Sequence, residues 1–109
     1  MNTSAPPLAD LLRRDIGPDF PVVSGTSKAD SPLVISETVD YVAVEHVVIR
    51  HVMGMIDEEW KLAEQRVTHQ DGRVIDEMVV NVKDAGAPDW QGRRRFYFDI
   101  TAGWHATYG

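Results

Sequence analysis

RVTHQDGRVIDEMVVNV, residues 66–82, sets an Asp71-Gly72 pair between two runs in which apolar and polar residues roughly alternate. A two-residue Asp-Gly connection suits a type I′ hairpin turn, which needs positive φ at both central positions. The pattern predicts two antiparallel arms, 60–70 and 73–83. The turn also sets their register: Gln70 opposite Arg73, His69 opposite Val74, Val67 opposite Asp76 and Gln65 opposite Met78. Continued without interruption, it places Ala63 opposite Val80 and Lys61 opposite Val82.

Register decides which side chains share a face. One face collects Ala63, Val67, Val74, Met78, Val80 and Val82 and is the expected core face. The other collects Glu64, Arg66, Thr68, Ile75, Glu77 and Val79, with Arg66 directly across from Glu77. The core face also carries Gln65, His69 and Asp76. An unpaired carboxylate is costly to bury, so Asp76 must be paired, solvated or protonated. Two placements satisfy this requirement. The three residues lie at the rim of the sheet, bonded to backbone or water, or they line a concave pocket in a curled sheet. In the second case Gln65, His69 and Asp76 are the ligand-pocket candidates. His69 oriented by Asp76 is then the candidate acid–base pair.

Upstream, LVISETVDYVAVEHVVIRHVMG (33–54) is rich in Val and Ile, side chains that favour strands. Alternation predicts a long strand with Val42, Val44, Val48 and Val52 on one face. An amphipathic helix over about 40–53 is the rival reading, because periodicity alone does not separate the two in a short apolar run. Nearer the N-terminus, Leu8, Leu11, Leu12 and Ile16 recur at helical spacing between Pro6-Pro7 and Gly17-Pro18. They predict a short amphipathic helix over 7–16, with Arg13 and Arg14 suited to its C-terminal dipole. Residues 1–7 read as a loose tail, 20–24 as a brief extended segment and 25–32 as a polar loop. Downstream, 84–92 is a loop and RRRFYFDIT (93–101) a strand. AGWHATYG either extends that strand or forms an aromatic-bearing tail.

The expected fold is therefore α+β, with the N-terminal helix packed on a curled antiparallel sheet of four to five strands. By analogy the arrangement is similar to cystatin-like or NTF2-like half-barrels, an analogy that carries no function with it. The 109 residues suit one domain, 1–109.

A net charge of −6 disfavours non-specific binding to nucleic acid or anionic lipid. The absence of cysteine excludes disulfides, thiol nucleophiles and thiolate metal sites. The N-terminus lacks the pattern of a secretory signal, and the run from Val39 to Met55 is too interrupted by charge for a membrane span. Together these features suggest a cytoplasmic protein. The histidines His46, His51, His69 and His105 form no metal-ligand signature, and no dinucleotide, phosphate-loop or nucleophile-elbow motif occurs. Neither a metal nor a cofactor is expected.

Arg93, Arg94 and Arg95, flanked by Trp90 and Tyr97, form the one basic–aromatic cluster. Such clusters can hold single-stranded nucleic acid, but the acidic chain makes an acidic protein surface the better match. With no catalytic constellation evident, the sequence points to a non-enzymatic module that binds a protein or forms a homodimer. A small-molecule or acid–base protein using Gln65, His69 and Asp76 is the alternative.

Overall fold

The computed structural model describes residues 6–109, so most of the expected loose tail (1–7) lies outside the described residues. The chain is α+β. Among the described residues three helices, α1 (Leu8–Ile16), α2 (Tyr41–Met55) and α3 (Thr101–Tyr108), accompany five strands. The strands are β1 (Val22–Ser24), β2 (Leu33–Ile35), β3 (Glu58–Gln70), β4 (Arg73–Asp84) and β5 (Gly92–Asp99). They form one open sheet in the order β1-β2-β5-β4-β3.

Asp71 and Gly72 both adopt positive φ, 52° and 78°, as the hairpin turn requires. The expected register holds from Gln70–Arg73 through Glu64–Val79 and then changes. A bulge between Leu62 and Glu64 pairs Leu62 with Val80, Lys61 with Asn81 and Trp60 with Val82. The extra residue at Ala63 reverses the facing of everything before it. Trp60 and Leu62, rather than Lys61 and Ala63, therefore share the face of Val80 and Val82.

The sheet is mixed rather than wholly antiparallel. β5 runs antiparallel to β4 but parallel to β2, with Leu33 beside Phe98. The return of β5 from the hairpin to a strand laid down before α2 makes this pairing possible.

The strand expected over 33–54 is a correction. Only Leu33–Ile35 is extended, and Tyr41–Met55 is helical. Asp40 caps the helix, its Oδ1 accepting from the Ala43 N–H at 3.0 Å. Val44, Glu45, Val48, Ile49 and Met53 are its buried residues, a spacing that forms one helical stripe. Packing of that stripe outweighs the β preference of valine and isoleucine. The C-terminal segment is also helical, neither a strand extension nor a tail.

The core lies on one side of the sheet. Ala9 and Leu12 of α1 and the α2 stripe meet Val22, Leu33, Ile35, Val74, Met78, Val80, Phe96 and Phe98. α1 is tied down by Arg13, which donates to the carbonyls of Val22 and Val23 at 3.2 and 2.9 Å.

Candidate functional site

Within this apolar core sit two carboxyl groups. Asp76 comes from β4, where register turns it inward between Val74 and Met78, and Glu45 comes from the buried stripe of α2. Both residues are wholly buried. Gln65 on β3 donates to Asp76 Oδ2 at 2.8 Å. Among the described residues, Asp76 Oδ1 and both Glu45 oxygens meet no donor. A proton on Glu45 supplies what is missing, since a carboxylic acid can donate to the neighbouring carboxylate. Burial, then the hydrogen bond to Asp76 and that residue's charge, push the Glu45 carboxyl up to about 10. The Glu45 carboxyl is thus protonated at neutral pH. Beside it, burial and then the charges of Tyr108, Glu45 and Asp76 raise the Tyr41 phenol above its ordinary value.

Gln65 and Asp76 are therefore brought together, whereas His69 is not bonded to them. Its ring lies edge-on to Trp104, centroids 5.3 Å apart. It lines a depression of about 280 Å³ with Arg73, Val74, Trp104, His105 and Tyr108. Gln65 borders a different depression, of about 410 Å³, with Arg66, Glu77 and Arg95. Sequence reasoning weighed Glu45 only among possible metal ligands and missed its place beside Asp76. Its signal was a lone acid within VAVEHVVI, visible only once that segment is read as a helix with its apolar stripe inward.

β3 is the last strand of the sheet, so among the described residues one of its edges is unpaired. Its core-side row, Leu62, Gln65, Val67 and His69, is exposed, with Leu62 at 43 % and Val67 at 36 %. The corresponding row on β4, from Val74 through Val82, is buried.

The arginines find carboxylates in their own chain. Arg94 makes two hydrogen bonds to Glu58, at 3.2 and 3.0 Å, and Arg93 lies 3.8 Å from Glu64. Glu77 accepts from Arg66 at 2.9 Å, Arg95 at 2.9 Å and Tyr97 at 3.1 Å. Trp90 lies beneath the ammonium groups of Lys61 and Lys83, at 4.5 and 5.2 Å from its ring centre. Of the other histidines, His51 pairs with Asp15 at 3.1 Å and His46 lies near Trp60. Among the described residues no three His, Cys, Asp or Glu side chains converge as metal ligands, and no helix is long and apolar enough to cross a membrane.

No protein family model matches the chain, and no curated protein or solved structure matches it.

Proposed function

We propose that this chain is an association module that docks a protein surface through the exposed flank of β3. The observation carrying this reading is the contrast within one face of the hairpin. The β4 row is sealed in the core, while Leu62 and Val67 on β3 remain open beside an unpaired strand edge. An edge with apolar side chains is a template for strand addition. The intramolecular pairing of Arg93, Arg94 and Arg95 moves the proposed contact from those arginines, with Trp90 and Tyr97, to the β3 flank. The separation of His69 from the bonded Gln65–Asp76 pair also favours a docking surface over a shared ligand pocket.

Sedimentation velocity over a range of protein concentrations tests the reading. Wild type should associate, and Leu62→Asp/Val67→Asp should sediment as a monomer with an unchanged circular dichroism spectrum. Identical sedimentation of the two proteins would remove the flank from any self-association.

A second reading, a small-molecule or acid–base protein, is favoured by the orphaned oxygens of Glu45 and Asp76. In it the protonated Glu45 is the acid, and the exposed Gln65 amide guards the neighbouring Asp76. A ligand that raises the melting temperature of wild type but not of Glu45→Gln would support this reading.

A further inference from the structure

We infer that the surface docked by β3 is a second copy of the same strand, paired antiparallel about a two-fold axis between Leu62 and Ala63. This inference rests on the association reading and gives it a partner and a register. The argument begins with the bulge. Before Ala63, the residues facing away from the core are Glu59 and Lys61; after it, they are Glu64, Arg66 and Thr68. A β3–β3 pairing matches like faces only if residues before the bulge in one copy meet residues after it in the other. An axis between Leu62 and Ala63 does this along the whole overlap. It sets Glu59 opposite Arg66, Trp60 opposite Gln65 and Lys61 opposite Glu64.

Charge selects the same register. On the outward face, Glu59 meets Arg66 and Lys61 meets Glu64, each pair occurring twice by symmetry. Sliding one copy by two residues sets Lys61 against Arg66, and sliding it the other way sets Glu59 against Glu64. Both alternatives oppose like charges, which is unfavourable across strands. A slip of one residue places the outward side chains of one copy against the core-side ones of the other. Charged residues and a bulge commonly protect a sheet edge from pairing. Here the charges alternate in a self-complementary order, and the two bulges meet at the axis.

The new pairs also continue ones already present. Lys83 lies 3.5 Å from Glu59, and Arg66 bonds Glu77. Bringing Glu59 to the second copy's Arg66 joins these into a run of alternating charge. On the core side, Leu62 of each copy approaches the axis, covering apolar surface that the monomer leaves exposed. The second copy's Trp60 lies across Gln65, the side chain that caps Asp76.

Charge reversal and restoration tests the register, with sedimentation equilibrium as the readout. Lys61→Glu sets acid against Glu64 at two symmetric positions, and the dissociation constant should rise about tenfold or more. The double variant Lys61→Glu/Glu64→Lys restores opposite charges and should return the constant close to that of wild type. Circular dichroism of each variant checks that the fold is retained. Restoration in the double variant supports the pairing. Association of wild type that Leu62→Asp/Val67→Asp abolishes, but that the double variant does not restore, overturns this register while leaving the flank as the docking surface. A wild type that stays monomeric at every concentration overturns the self-pairing itself.

Discussion

Gly72 turns the hairpin with φ at 78°, and a Cβ built there would meet nothing within 4 Å. The position is therefore constrained by backbone conformation and not by space. Gly72→Val should destabilise the fold by about 1–3 kcal/mol, because a β-branched residue resists positive φ. Urea denaturation would show this as a lower midpoint, and an unshifted midpoint would contradict the turn. Asp99 shows a different local logic. Burial pushes its carboxyl up, but hydrogen bonds from the Thr101 hydroxyl and N–H, and from Arg73, outweigh burial and leave it below the ordinary range. Thr101 Oγ1 in turn accepts from the Val74 N–H at 2.9 Å, joining the start of α3 to β4.

At the scale of elements, α3 comes close to the start of α2 because residue 103 has no side chain. A Cβ on Gly103 would lie 2.6 Å from Tyr41 Cδ1 and 3.0 Å from the Glu37 carbonyl oxygen. Gly103→Val should force α3 away from Tyr41 at a cost of about 1–3 kcal/mol. It should also increase amide hydrogen exchange across 101–108; unchanged exchange there would mean that the contact yields without cost. The helix α2 shows how far tertiary contact governs an element. Its valines and Ile49 favour a strand, and alternation alone gave a strand face of Val42, Val44, Val48 and Val52. The structure supplies the Asp40 cap and the buried stripe through Val44, Val48 and Ile49, and the stripe excludes a strand only because a sheet is present to receive it. The bulge at Ala63 was not legible. Nothing in EEWKLAEQ distinguishes an inserted residue from regular alternation, and the displacement of Lys61 by Trp60 follows from packing against Val82.

For the whole molecule, the proton held on the buried Glu45 carboxyl ties folding to pH. The folded-state pKa of Glu45 lies near 10, above its ordinary 4.5. Such a group contributes its full stability below the unfolded pKa, and the contribution is lost as pH rises through the window up to the folded value. Stability should therefore fall by on the order of 2–3 kcal/mol between pH 5 and pH 7 from this group alone. Glu45→Gln keeps the shape without the titration, so its stability should be flatter over that window and should exceed that of wild type in mildly alkaline solution. Parallel pH profiles of the two proteins, followed by thermal denaturation, would contradict a proton held in the core.

Local chemistry in the sequence was enough to determine the Asp71-Gly72 turn, the adjoining register, the inward facing of Gln65 and Asp76, and the N-terminal helix. Each depends on residues close together in the chain, where backbone preference and side-chain period act directly. Tertiary structure decided that 41–55 is a helix, that β5 lies parallel to β2, and that Glu45 rather than His69 stands beside Asp76. Those outcomes depend on which surfaces are available to bury an apolar stripe. Residues 31 positions apart become neighbours only when α2 docks on the sheet, and the raised pKa of Glu45 is a property of that burial.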